Sequence, residues 1–106
     1  MKNELLILKA LADETRLKIV ELLIEGEKCV CEIFPYIKRT QSTISLQLEV
    51  LKKAGILDSK KQGRKVYYFI SNNKIYSILE LLGIKTDKKN KNNGNNKDYK
   101  NKTYKK

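Results

Sequence analysis

The sequence predicts a mainly α-helical domain carrying one small β-hairpin, with five helices and a two-stranded wing. Along most of residues 5–82 apolar side chains recur at i, i+3, i+4 and i+7, the spacing of amphipathic helices. One stretch, residues 66–70, alternates with a period of two just after a glycine-containing turn, the pattern of a hairpin. The chain has 106 residues, 41% of them apolar, which suffices for one domain and not two.

The elements follow in order. Leu5, Leu8, Leu11 and Ala12 mark a first helix. Asp13 is a good N-cap for a second, whose buried stripe is Leu17, Val20, Leu23 and Ile24 and which Gly26 ends. A third, short helix covers roughly residues 33–37. Pro35 is tolerated only in a first helical turn and pushes Phe34 toward extended backbone, so this helix is expected to start after Cys31. Thr40 caps a fourth helix, with Ile44, Leu48 and Leu51 inward and Gly55 after its end. Residues 56–61 and 66–70 form the hairpin, with Val66, Tyr68 and Ile70 on one face and Tyr67 and Phe69 on the other. Ile75, Ile78, Leu79 and Leu82 make the last helix, ended by Gly83. Two short helices joined by a tight turn, followed by a basic hairpin, match a winged helix-turn-helix.

Charge narrows the function. The formal net charge is +11, from 23 basic and 12 acidic residues, which favours nucleic acid or an anionic membrane surface as partner, although excess lysine also serves solubility alone. Residues 85–106 hold nine lysines and two aspartates, +7 of that total, which leaves +4 on residues 1–84. Rich in asparagine and without aliphatic side chains, 85–106 is expected to be a disordered basic tail, and 1–84 the DNA-binding and dimerisation domain. No run approaches the ~20 apolar residues of a membrane span, and no leader pattern opens the chain. These features predict a cytoplasmic protein without a membrane partner. The two cysteines lie two positions apart, which suits a reducing compartment. With no histidine and no evident catalytic carboxylate pair, an enzyme is not expected.

In a helix-turn-helix the second helix enters the major groove. At about 100° per residue, the stripe Ile44, Leu48 and Leu51 turns Ser42, Leu46, Glu49 and Lys53 outward, flanked by Thr43, Ser45 and Val50. Gln41, Ser42, Thr43 and Ser45 suit base edges or phosphates from the first turn, although Thr40 to Thr43 can also serve only as caps. Leu46 suits a thymine methyl, and Glu49 must face a cytosine amino group or stand clear of phosphates. The hairpin tip, residues 60–65, has four basic residues in six: Lys60, Lys61, Arg64 and Lys65. A wing of this kind adds salt-dependent affinity rather than sequence discrimination, whereas a solvated turn with edge-protecting lysines needs no ligand.

Four segments in this order resemble the ArsR/SmtB family of metal-responsive repressors: LKALADETRLKIVELL (8–23), EKCVCEI (27–33), TQSTISLQLEVLKKAGIL (40–57) and KKQGRKVYYFIS (60–71). The resemblance implies a homodimer paired through first and last helices, bound to a palindromic operator in double-stranded DNA and released by an inducer. Family members often carry Arg-His where this chain has Leu46 and Gln47, which leaves the operator sequence open. The metal site that some members build on the last helix uses histidine, which this chain lacks.

Cys29-Val30-Cys31 resembles the thiol motif of the arsenic-responsive members, with Phe34 where some place a third cysteine. No cofactor is required. Soft thiolates would select arsenite, antimonite or cadmium as inducer, with Glu27 and Glu32 nearby as poor additional ligands. In a helix such a pair points about 200° apart, whereas in a strand it shares a side, so a pair ahead of the helix is ready to chelate. Inert packing is an alternative, and so is redox sensing, although a ring this tight is expected to be strained. Arg16 could reach a phosphate but more commonly such a residue pairs with Asp13 or another acid. A winged-helix protein–protein adaptor is the rival of a different class; the concentration of positive charge at the hairpin tip favours DNA.

Overall fold

Side-chain caps fix where the central helices begin, and a glycine fixes where the longest one ends. The computed structural model describes residues 2–84, and the basic tail expected over 85–106 lies outside the described residues. The order is α1 (Lys2–Leu11), α2 (Glu14–Leu23), β1 (Lys28–Cys29), α3 (Val30–Ile33), a 3-10 turn (Phe34–Tyr36), α4 (Gln41–Lys53), β2 (Leu57–Gln62), β3 (Lys65–Ile70) and α5 (Lys74–Leu81). Asp13 is extended and its carboxylate accepts the Arg16 backbone N–H at 2.9 Å, capping α2. Thr40 does the same for α4, its hydroxyl oxygen accepting the Thr43 N–H at 3.1 Å.

At the other end of α4, Gly55 adopts φ +82°. Its N–H donates to the Lys52 carbonyl at 3.0 Å and that of Ile56 to the Leu51 carbonyl at 3.1 Å, the double closure of a Schellman turn. The reversal drives Ile56 and Leu57 straight into the interior. The core then gathers one stripe from each surrounding element: Ile19, Val20 and Leu23 of α2, Ile33 of α3, Ile44, Leu48 and Leu51 of α4, Ile70 of β3, and Ile75 and Leu79 of α5. Each such side chain contributes roughly 1.5–3 kcal/mol of burial.

Two expectations are corrected. The wing is not a two-stranded ribbon, because β1 adds a third strand to give the antiparallel order β1-β3-β2, with Lys28 opposite Tyr68 and Cys29 opposite Tyr67. A two-residue strand has no alternation for a sequence pattern to reveal. The third helix begins at Val30, not after Cys31, and α3 ends at Ile33, where residues 33–37 were expected to be helical. The Glu32 carboxylate accepts the Cys29 backbone N–H at 3.1 Å and starts the helix early. Pro35 falls instead in the first positions of the 3-10 turn that follows, where its missing N–H costs nothing, and Phe34 before it is helical (φ −46°, ψ −45°), not extended as expected. The hairpin itself closes through a two-residue turn, Gly63-Arg64, between paired Gln62 and Lys65. Gly63 alone has positive φ, +67°, the requirement of a type II′ turn.

Gly55→Ala should lower the free energy of unfolding by about 1 kcal/mol, the cost of a left-handed backbone for an L residue. A Cβ there meets no atom within 4 Å, so the loss is one of backbone alone. Urea unfolding followed by circular dichroism measures it, and a neutral result would contradict the role given to this turn.

Candidate nucleic-acid interface and the adjoining thiol pair

α4 divides into an outward face and two anchored flanks. Gln41, Ser42, Leu46 and Lys53 stand exposed, with Thr43 and Ser45 half-buried beside them. Leu46 is 62% exposed and Val50 39%, large apolar side chains on a helix that is otherwise polar outside. The Thr40 hydroxyl donates to Thr43 Oγ1 at 3.1 Å and lies 3.5 Å from Ser42 Oγ. Capping and presentation therefore coexist: the first turn is organised by its own hydroxyls while Gln41 and Ser42 face solvent.

One flank of α4 is tied to the sheet. Tyr68 donates its phenol hydrogen to Glu49 Oε2 at 3.0 Å, and Lys52 Nζ donates to Ser59 Oγ at 2.9 Å. The first bond turns the Glu49 carboxylate toward β3 and gives its charge a partner inside the molecule. The opposite flank is tied to α2, where Arg16 Nη1 donates to Gln47 Oε1 at 2.6 Å and Arg16 Nε to the Ala10 carbonyl at 2.8 Å. Among the described residues Arg16 thus pairs with neither Asp13 nor another acid; Asp13 is occupied with the Arg16 backbone.

The basic residues of the hairpin divide in two. Lys60 and Lys61 lie within β2, not in the turn, and Lys60 Nζ pairs with Glu27 Oε1 at 2.8 Å. Lys61, Arg64 and Lys65 are exposed and make no ion pair with a described residue. A further basic group escaped the sequence reading. Lys18, Lys38 and Arg39 line a cleft of about 290 Å³ with Glu14, Thr15, Tyr36 and Ile37, beside the start of α4. The Lys-Arg pair immediately before the Thr40 cap was the signal for it.

Cys29 and Cys31 stand at the corner where β1 turns into α3, with Cα atoms 5.3 Å apart. Cys29 is 4% exposed, whereas Cys31 is open to solvent. The strand-to-helix corner brings together two side chains that a continuous helix would separate, and their sulfurs are joined as a disulfide, the pairing ranked below chelation from the sequence. Both carboxylates considered as extra ligands are engaged: Glu27 by Lys60, and Glu32 by the Cys29 N–H. Among the described residues no group of three or more His, Cys, Asp or Glu side chains is placed to hold a metal ion. No described helix is long and apolar enough to cross a membrane.

Residues 13–59 match the family described as bacterial regulatory protein, arsR family. The cadmium resistance transcriptional regulatory protein CadC of Listeria innocua is 51% identical over 74 residues, covering 69% of this chain and 62% of that protein. The arsenical resistance operon repressor of Escherichia coli is 47% identical over 66 residues, 61% of this chain and 56% of that protein. The chain thus spans about three fifths of the length of these relatives. Among solved structures, the homodimeric winged helix-turn-helix DNA-binding domain of a possible ArsR-family regulator from Mycobacterium bovis superposes with a TM-score of 0.71 at 30% identity, covering 76% of this chain and 75% of that one.

The Tyr68–Glu49 bond yields a stability test. Burial pushes the Tyr68 phenol above its ordinary value of 10.0, and the bond to Glu49 pushes it further. The folded state therefore holds this proton more tightly than the unfolded chain. Its contribution is complete below pH 10.0 and is lost as pH rises through the folded-state value. Tyr68→Phe should cost about 1 kcal/mol at neutral pH and flatten the loss of stability above pH 10. Melting temperatures of both proteins across that range decide it.

Proposed function

Because this chain belongs to the ArsR family of bacterial regulatory proteins, we propose that it is a cytoplasmic, homodimeric transcription repressor that leaves its operator when Cys29 and Cys31 take a soft ion. The observation that carries the DNA-binding part is the outward face of α4. Capped by Thr40 and anchored on both flanks, the helix presents Gln41, Ser42, Thr43, Ser45, Leu46, Gln47 and Lys53 to the major groove. Ser, Thr and Gln bond base edges and phosphates, and Leu46 packs on a thymine methyl. Lys61, Arg64 and Lys65 lie along the backbone, and Lys60 joins them only by giving up Glu27.

Pairing of two copies is supported by apolar side chains left open on the first and last helices: Leu5 and Leu8 are 52% and 57% exposed, Leu81 and Leu82 87% and 62%. So much exposed leucine on two helices of a small domain marks a surface that another chain covers. A dimer sets two reading helices on the two halves of a palindrome.

The thiol pair fits a soft ion as a two-sulfur clamp once the disulfide is reduced, with Cys29 and Cys31 as the thiolates and further ligands from water or a second copy. Cadmium and arsenite or antimonite are the ions suited to it, in keeping with the names of the relatives. Its location supports a regulatory part. Cys29 is paired in the sheet with Tyr67 of β3, and Cys31 rides on α3, so any change of spacing between the two sulfurs moves the wing strand against the first helix of the reading head. The bonded sulfurs favour a second reading in which an oxidant, not an ion, acts on the same corner.

Selection of duplexes from a random pool should recover an inverted repeat. Replacing Lys61, Arg64 and Lys65 together with Gln should lower the slope of log K against log salt by roughly two to three without changing the selected sequence. An unaltered slope, or no enriched duplex, contradicts the interface. In reducing buffer, arsenite or cadmium should release the wild-type protein from that duplex but not the Cys29→Ser or Cys31→Ser variants. Equal release of all three removes the thiol clamp, and release by peroxide alone selects the redox reading.

A further inference from the structure

Arg16 reaches two neighbouring helices at once. From the first turn of α2 its Nε donates to the Ala10 carbonyl of α1, and its Nη1 donates to Gln47 on α4. A guanidinium carries only donors, so the Gln47 atom facing it must be the carbonyl oxygen, and the amide NH2 is left to another partner. The bonds are partly buried, beside a groove lined by Leu6, Lys9, Ala10, Val50, Lys53 and Ala54.

We propose that Arg16 is a positioning residue for base reading: it fixes Gln47 as a hydrogen-bond donor and struts the reading helix against α1. The proposal rests on the DNA-binding function argued above. Glutamine recognises adenine with both ends of its amide, accepting from N6–H and donating to N7. With the oxygen of Gln47 already accepting from Arg16 and held toward α2, that two-point contact is disfavoured. The NH2, which the bond to Arg16 leaves free to donate, favours edges that only accept, guanine N7 and O6 or thymine O4. Sequence preference at one position of each half-site therefore depends on a residue that touches no base.

The same guanidinium carries a geometric consequence. α1 bears part of the open apolar surface assigned to pairing, so a strut from α1 to α4 fixes the distance between the two reading helices of a dimer. Arg16 should matter more for paired half-sites at fixed spacing than for a lone half-site. A direct phosphate contact by Arg16 is a different role, open to the three N–H groups that these two bonds leave over, and the salt slope distinguishes it.

The test uses the full chain, with random-duplex selection and anisotropy titrations over a salt series. Wild type is compared with Arg16→Lys, Arg16→Ala, Gln47→Met and the Arg16→Ala/Gln47→Met double variant. Arg16→Ala and Arg16→Lys should each bind the selected palindrome about tenfold more weakly, within the range of one fixed base-reading pair. They should admit adenine at the position read by Gln47, leave the salt slope unchanged and lose less affinity for a lone half-site than for the palindrome. Arg16→Ala should cost little more once Gln47→Met is present. If Arg16→Ala does not fold, Arg16→Lys carries the test, because one ammonium does not reproduce the two-directional fork. A slope reduced by about one in Arg16→Ala and restored by Lys would make Arg16 a phosphate contact and overturn the proposal. Unchanged affinity and base preference in both variants would also overturn it while leaving DNA binding intact; a wild-type chain that selects no duplex would overturn both.

Discussion

The seating of Ile44, Leu48 and Leu51 in the core is the constraint from which the rest of the structure follows. All three are completely buried, and together they fix the rotation of α4 about its own axis. Burial of three such side chains is worth several kcal/mol, more than any single polar contact on the surface can oppose. Once that rotation is fixed, the positions of Ser42, Leu46 and Lys53 opposite are no longer adjustable, and neither are the flanks. Glu49 and Lys52 meet the sheet on one side, and Gln47 meets Arg16 on the other. Hydrophobic packing decides which way the helix faces; the polar bonds decide how little it rocks.

Electrostatics in this molecule divides into charge that is consumed and charge that is offered. Lys60 is neutralised by Glu27, Lys28 meets Glu25 at 3.5 Å, and Arg16 is committed to two oxygens. Exposed pairs such as these contribute little to stability. Among the described residues, Lys61, Arg64 and Lys65 of the hairpin, Lys53 on α4 and the Lys38–Arg39 approach to α4 stay exposed and outside these pairs. A net charge alone predicts a polyanion partner; exposed basic groups on the hairpin and on both ends of α4 agree with the interface proposed for that helix.

Much of this was legible in the sequence because it rests on local rules. Asp13 and Thr40 read as caps and are caps, since a short polar side chain ahead of an apolar period has few other uses. The stripe of α4 and the alternation of β3 are periods that burial enforces. What was not legible depends on contacts distant in sequence. β1 exists because Lys28 and Cys29 meet Tyr68 and Tyr67, a pairing across about 40 residues with no local signature. That pairing, with the Glu32 cap, sets the start of α3 and so the relation of the two cysteines. Arg16 and Gln47 lie 31 residues apart, and neither residue type foretells the bond. The puzzle of Glu49, an acid on a face meant for DNA, is resolved by Tyr68 in the same way.

The sheet also explains how a small chemical event at the cysteines can reach the reading helix. Cys29, Tyr67 and Lys60 occupy one transverse row across β1, β3 and β2, while Tyr68, next to Tyr67, holds Glu49 of α4. A shift of β1 by a fraction of a strand spacing is therefore felt in β3 and, through Tyr68, on the flank of α4. Cys31 sits on α3, whose Ile33 is packed into the same core as Ile44. The two sulfurs thus connect to α4 by separate routes, one through a hydrogen-bonded strand pair and one through close-packed side chains. Neither route is continuously deformable, because strand register and core packing each resist small displacements. Altering the distance between Cys29 and Cys31 must disturb at least one of them, which is the structural ground for the proposal that an ion or an oxidant at the corner between β1 and α3 acts on DNA affinity from outside the interface.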